Sequence, residues 1–411
     1  MSFNIIDFLE SVLTLSIADY LRDVWAGDMP NWLIEVIIDV VGILIVSTFL
    51  LILTLYLVLI LRKVLARVQD RIGPNRVGGR YGLLQTVADA IKLITKEDLI
   101  PSGADKLAFN LAPIITVIAA LLMWAVIPFA PGLTGADINV GVFYVLAISS
   151  VSVVALLMAG WGSNNKYALL GAFRAVAQLV SYEVPMIMAL IIPILLASSM
   201  STQTIVESQS VWYIVVVPLS ALIFIISAMA ELGQTPFDLL EAESEIVAGY
   251  HIEYSGMKFA LFFLAEFINA FFMSALFTTM YLGGWRGPGA AAYPLLGLIY
   301  FMIKTFLVYL FLIWVRGTLP RVRIDQLLYF NWKFLVPLVL TLILVVAVVA
   351  KLIPPDANEW LQAGILLVVN ILLAVTALEF VRRYARSRRQ AVEDDAESLG
   401  GAASALSGAA D

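Results

Sequence analysis

Between positions 230 and 256 the chain reads AELGQTPFDLLEAESEIVAGYHIEYSG, six carboxylates with neither lysine nor arginine among them. If the segment from Leu239 to Val247 is helical, Glu241 and Glu245 share a face at i,i+4, and Asp238 joins them at i,i+3 and i,i+7. Two negative charges about 6 Å apart in an effective dielectric near 20 repel by about 2.8 kcal/mol, which raises the pKa of the later proton by about two units. Acids tuned in this way hold and pass protons near neutral pH. A solvated acidic loop would need no such role. This one is interleaved with Pro236, Phe237, Leu239, Leu240, Ile246, Val247 and Tyr250, too apolar for free hydration, and is expected to pack against something. His251 is a further titratable group here, although a lone histidine is more often an interface residue with its bonds satisfied.

Other ionisable residues fall inside apolar runs. In GSNNKYALLGAFRAVAQLVSYEVPMIMAL, Arg174 and Glu183 enter or approach membrane depth, where a charge costs about 2.5 to 3.5 kcal/mol and is usually retained for a pathway or a buried pair. Pro185, two residues on, removes one helical hydrogen bond and predicts a local kink. Glu266, Lys304 and Glu379 are weighed likewise, with Glu379 read as an interfacial partner of Arg382 and Arg383. In LRKVLARVQDRIGPNRVGGRYGLLQTVADAIKLITKEDLIP, Arg62, Lys63, Arg67 and Arg71 prolong an apolar helix, Gly73-Pro74-Asn75 signals a turn, and 81–96 repeats apolar residues at helical spacing. The basic run is either a snorkelling anchor, or its arginines and Asp89 line the mouth of a pocket for a polar headgroup.

These residues must be positioned by membrane helices. The 411-residue chain is 61% hydrophobic and 14% charged, far too apolar for a soluble domain of that length. A span needs about 20 mostly apolar residues, because every backbone amide must be satisfied within the bilayer. Nine segments qualify: 33–61, 107–130, 138–160, 175–198, 211–230, 258–282, 293–315, 334–353 and 358–380. The fold class is therefore all-α and polytopic, with about nine transmembrane helices plus interfacial amphipathic ones. Of the 25 lysines and arginines, 21 fall in the loops 62–106, 161–174, 231–258 and 316–333 or after 380, all on one side. The positive-inside rule then puts the N-terminus outside and the C-terminus in the cytoplasm, so the acidic loop opposes the general trend of its side. Residues 1–32 read as an interfacial segment, since no basic residue precedes Arg22, 33–380 as the membrane domain, and 381–411 as a disordered tail by composition. No internal repeat announces an inverted-repeat transporter.

Composition also excludes functions. Without cysteine and with one histidine, the chain cannot hold a cysteine-ligated iron–sulfur cluster, a disulfide or a bis-histidine haem, and no metal site is expected. Any redox centre must sit on another chain. No basic stripe with interleaved aromatics suggests nucleic acid.

The segments ARVQDRIGPNRVG, YGLLQTVADAIKLITKE, GSNNKYALLGAFRAVAQLVSYEVP, AELGQTPFDLLEAESEIVAGYHIEYSGMKFALFFLAEF and LPRVRIDQLLYFNWK together resemble the H-subunit family of the proton-pumping NADH:quinone oxidoreductase, respiratory complex I, over about 33–353. The resemblance implies a multi-pass subunit of the bacterial inner membrane. Its partners are the other membrane-arm subunits, the quinone-side subunits of the hydrophilic arm, and lipid. Quinone is the substrate, and FMN and iron–sulfur clusters on partner subunits bring electrons from NADH. By motif match, Arg62, Arg71, Asp89, Phe263, Phe267 and Arg316 fall at quinone-channel positions. Arg174, Glu183, Glu231, Asp238, Glu241, Glu243, Glu245, Glu253 and Glu266 fall on a proton path from that cavity into the membrane. The sequence departs from the family pattern at Leu61, where a glutamate is common, at Gln234, often basic, and at Leu240, usually proline. The rival readings are the homologous subunit of a membrane-bound hydrogenase-type complex, and a stand-alone ion transporter.

Overall fold

A computed structural model describes residues 22, 30–239, 248–354 and 358–408. The N-terminal interfacial segment, apart from Arg22, Pro30, Asn31 and Trp32, and the acidic positions Glu241, Glu243 and Glu245 lie outside the described residues. So does most of the predicted 239–247 helix.

From residue 30 on, the first helix is α1 (Asn31–Val68), whose basic end leads through a turn to the short α2 (Gln85–Thr95). This is the helix expected over 81–96. Only Thr86 of α2 is buried, in keeping with a helix that lies on the surface of the bundle. Next come α3 (Lys106–Leu122) with a 3₁₀ turn, a small antiparallel pair of strands, β1 (Pro128–Ala130) and β2 (Leu133–Thr134), then α4 (Gly141–Gly162) and α5 (Lys166–Ala197). The short α6 (Thr202–Ser208), α7 (Tyr213–Val216) and α8 (Pro218–Glu231) lead to α9 (Gly256–Tyr281) and α10 (Pro294–Thr318). Finally α11 (Ile324–Phe330) passes through a π-turn (Asn331–Leu335) into α12 (Val336–Leu352), and α13 runs over Glu359–Gly408.

Among the described residues, eight helices are long and apolar enough to cross a bilayer, counting α11 and α12 as one. The fifth of the nine predicted segments, 211–230, is the exception. It is divided at Val217, whose backbone (φ −131, ψ 62) is not helical, because Pro218 has no N–H to continue the ladder and instead opens α8. The backbone of α13 continues as helix past position 381, where composition predicts disorder. Alanine, arginine, glutamate and glutamine in that stretch are strong helix formers. Arg383 pairs there with Glu379 at 3.3 Å, as the sequence suggests.

Three prolines stand inside α3 and α5, and each leaves the carbonyl four residues earlier without its backbone donor. Each such carbonyl is met by a side chain from another element. The Phe109 carbonyl, freed by Pro113, accepts the Tyr254 hydroxyl at 3.1 Å. That of Ala189, freed by Pro193, accepts Ser220 Oγ at 2.9 Å and the Tyr281 hydroxyl at 3.0 Å. That of Ser181, freed by Pro185, accepts Asn331 Nδ2. Helices also approach closely where side chains are absent: a Cβ at Gly171 of α5 would stand 2.6 Å from the carbonyl carbon of Gly249.

Lys304 has a structural role. Its ammonium donates to the carbonyls of Leu282 (2.8 Å), Gly284 (2.9 Å) and Arg286 (2.8 Å) and lies 5.0 Å from the centre of the Trp212 ring. The chain turns back after α9 through Gly283 and Gly284, both at positive φ, so their carbonyls converge and need a cation. Replacing Lys304 by methionine leaves three carbonyls without that donor and should cost about 3 kcal/mol or more. The measurement is the heat resistance of the detergent-solubilised protein, and a K304M variant as resistant as the parent would contradict this role.

Candidate functional site

The charged side chains singled out by the sequence fall largely into two groups. In the first, Arg62 near the end of α1 forms an ion pair with Asp89 of α2, and Lys92 lies 3.5 Å from the other Asp89 oxygen. Burial alone would raise the Asp89 carboxyl, but the Arg62 hydrogen bond and the charges of Arg62 and Lys92 outweigh it and hold the group below the ordinary carboxylate range. The pair ties the surface helix to α1. Arg71 instead donates to Gln69 Oε1 at 2.8 Å, in the exposed turn that follows α1. Nearly three turns into α9 stands Glu266, and in the last turn of α10 Arg316, 3.5 Å apart and each 23% exposed. Phe263 and Phe267, a helical turn apart on α9, stand edge to face at 4.9 Å. An apolar ring pair therefore lies along the same helix as a half-buried ion pair.

The second group belongs to the two ends of the acidic loop. Gln178 of α5, fully buried, donates Nε2 to the carbonyls of Ala230 (2.7 Å) and Phe237 (2.8 Å), so one amide fixes the chain where it leaves α8. The segment between α10 and α11 holds it from the other side. The Val322 N–H donates to the Pro236 carbonyl at 3.0 Å, and Arg321 pairs with Asp238 at 3.0 Å. At the far end, Asn165 uses both ends of its amide: Oδ1 caps α5 at the Tyr167 N–H, and Nδ2 donates to Glu253 Oε1 at 2.7 Å. The expectation that this loop packs against other elements holds wherever the loop is described.

Two carboxylates lie deeper. Glu183 of α5 accepts a long hydrogen bond, 3.4 Å, from Ser149 of α4. Glu231 ends α8, which packs along α5; its Oε2 is buried and makes no hydrogen bond among the described residues. Arg174 stands on the same helix as Glu183, one turn before Gln178.

His251 lies against Tyr250 and Phe259, with ring centres 5.0 and 5.4 Å away, and burial lowers its pKa to about 4. It is uncharged at neutral pH and a poor proton carrier there. Tyr254, stacked on Phe109 at 4.1 Å, has its hydroxyl pushed up by burial. Among the described residues no group of histidine, aspartate and glutamate side chains could hold a metal ion.

Sequence reasoning missed Ser149, Gln178 and Asn331. Each is a polar side chain buried inside an apolar helical stretch, and that was the available signal. Arg321 stands within the stretch LPRVRIDQLLYFNWK, where its type and spacing alone suggested no role.

Comparison with known proteins agrees with the resemblance. A profile of the NADH dehydrogenase family matches residues 41–347. A protein of Dehalococcoides mccartyi (strain CBDB1), named as the H subunit of NADH-quinone oxidoreductase, is 47% identical over 342 residues, 83% of this chain and 95% of that protein. The protein of the same name from Geobacillus kaustophilus (strain HTA426) is 49% identical over 326 residues, 79% of this chain and 97% of its own. That of Bacillus mycoides (strain KBAB4) is 49% identical over 298 residues, 72% of this chain and 89% of its own.

The folded pKa of His251, about 4, lies below its ordinary value of 6.5. As pH falls below 6.5 an unfolded chain takes up the proton first, so stability present above 6.5 is lost progressively down to about 4. Thermal stability between pH 7 and pH 5 should therefore fall more in the parent than in a His251→Phe variant. Identical acid sensitivity in the two proteins would show that this imidazole is not held neutral.

Proposed function

The chain belongs to the NADH dehydrogenase family, and from that premise we propose that it is the H-type membrane subunit of an NADH:quinone oxidoreductase, where it forms part of the quinone channel and couples quinone reduction to proton translocation. In this reading it sits in the bacterial inner membrane with its N-terminus outside, its basic loops in the cytoplasm, and the other membrane-arm and quinone-side subunits around it. Electrons come from NADH through FMN and iron–sulfur clusters on those partners; a chain without cysteine has no thiolate to ligate such a cluster.

Reduction of quinone to quinol takes up two electrons and two protons. Phe263 and Phe267 offer an apolar wall to the quinone, while Arg62 with Asp89, Arg71 and Arg316 set the charge around its path. The protons are drawn from the adjoining acids, because negative charge developing on the quinone favours protonated carboxyls and penalises ionised ones nearby. Asp238, Glu241, Glu243, Glu245 and Glu253 are the acids of the loop. Glu231 and Glu183, together with Arg174 and Glu266, continue the path into the membrane.

The single observation that supports this reading best is the placement of Glu231 and Glu183 on two helices that pack together, with Glu231 Oε2 buried and without a hydrogen bond among the described residues. Glu183→Gln combined with Glu231→Gln should lower proton translocation driven by NADH and quinone roughly tenfold or more. Proteoliposomes carrying the whole complex provide the measurement, and translocation at the parent's rate would refute the path. Arg62→Gln, which breaks the half-exposed pair at the mouth, should raise the quinone KM by roughly fivefold with a smaller change in kcat. An unchanged KM would remove Arg62 from the channel.

A further inference from the structure

Glu183 occupies the one turn of its helix that two adjoining residues fasten to another span. The N–H missing at Pro185 leaves the Ser181 carbonyl open, and Asn331, 0% exposed, supplies the donor through Nδ2. Next to it, the Tyr182 hydroxyl donates to the Leu327 carbonyl at 3.0 Å, and that same carbonyl also receives the backbone N–H of Asn331. Ser181 and Tyr182 are thus both held by one turn of α11, and both holds meet at Asn331, the first residue of the π-turn (Asn331–Leu335). Glu183, the next residue, points instead toward α4, where Ser149 meets it. The angle at which the carboxylate faces Ser149 and Glu231 is therefore set from the opposite side of the helix.

Chain continuity extends this. The segment that ends in Asn331 begins at Arg321 and Val322, which hold Asp238 and the Pro236 carbonyl at the start of the acidic loop. Nine residues lie between Arg321 and Asn331, and seven of them form α11. One short element thus touches both the loop nearest the quinone side and the turn that carries the intramembrane acid.

We propose that Asn331 is a positioning residue for Glu183: its amide replaces the hydrogen bond that Pro185 removes and so fixes the orientation in which Glu183 accepts and passes a proton. This rests on the proton-path reading given above. Asn331 touches neither quinone nor the proton; it acts through the backbone of α5. Because its task is to satisfy one carbonyl, restoring a backbone N–H at position 185 should make it dispensable.

The test uses the whole complex in proteoliposomes, with protons moved per electron and the pH profile of translocation both normalised to assembled complex. Asn331→Leu, nearly isosteric and without a donor, should lower the proton-to-electron ratio roughly fivefold or more and shift the pH profile, since an unmet buried acceptor is a large perturbation beside an acid. Asn331→Leu with Pro185→Ala, which returns the N–H to Ser181, should recover most of the ratio and the parent's profile. Glu183→Gln is measured in parallel. If Glu183→Gln is impaired while Asn331→Leu matches the parent in both readouts, this inference is overturned and the path survives. If Glu183→Gln itself pumps normally, the path fails and takes the inference with it. A double variant no better than Asn331→Leu also overturns it. Should Asn331→Leu not assemble, the double variant decides: assembly with the parent's ratio and profile supports the role, and continued failure or a profile like that of Glu183→Gln refutes it.

Discussion

A backbone carbonyl inside hydrocarbon has no water to turn to, and this constraint organises the bundle. Each unmet polar group costs several kcal/mol in such a medium, so a proline within a spanning helix commits a donor elsewhere in the chain. Pro113, Pro185 and Pro193 make three such commitments, met by Tyr254, Asn331, and Ser220 with Tyr281. The resulting bonds cross between elements and join α3 to the end of the acidic loop, α5 to the π-turn, and α5 to both α8 and α9. They fix relative rotation as well as distance, which apolar packing against equally apolar lipid does poorly. The same demand explains the Lys304 cage, where a reversing chain turns three carbonyls onto one ammonium.

Charge is handled by the same rule, and with a gradient. At the bundle's charged end the acids have partners: Asp89 with Arg62, Asp238 with Arg321, Glu266 with Arg316, and Glu253 with Asn165. Farther in, partners are few among the described residues: Glu183 accepts one long bond from a serine hydroxyl, and one oxygen of Glu231 is buried without a hydrogen bond. The outer acids are thus tied to neighbouring elements, whereas the inner two are left almost without polar company.

Much of this was legible in the chain. Long apolar runs located the spans, because burial in lipid demands them irrespective of tertiary detail. The spacing of Val87, Ala90, Ile91 and Ile94 announced α2, and Pro185 marked the altered turn beside Glu183. Hydropathy failed at Val217, where the side chains stay apolar while the backbone breaks, since the signal was the missing N–H of Pro218 and not polarity. The approach of Glu231 to Glu183, 48 positions away along the chain, could not be read from local spacing at all. Lys304 looked like a functional charge because sequence shows an ammonium at depth but not the carbonyls that converge on it. Asn331 gave only the hint of an amide in an otherwise apolar and aromatic stretch.

The position of the α10–α11 connection bears on how events at one end reach the other. Arg321 and Val322 grip the start of the acidic loop, while Leu327 and Asn331 grip α5 at Tyr182 and Ser181. Gln178 closes the figure from α5 back to the same loop, at Ala230 and Phe237. Loop, connection and helix thus form a closed circuit of hydrogen bonds, in which none can move without straining the other two. Pro185 leaves the turn of α5 beside Glu183 without its own backbone bond, so that turn depends on Asn331, at the end of the same connection that grips the loop, for the bond an intact helix would supply itself.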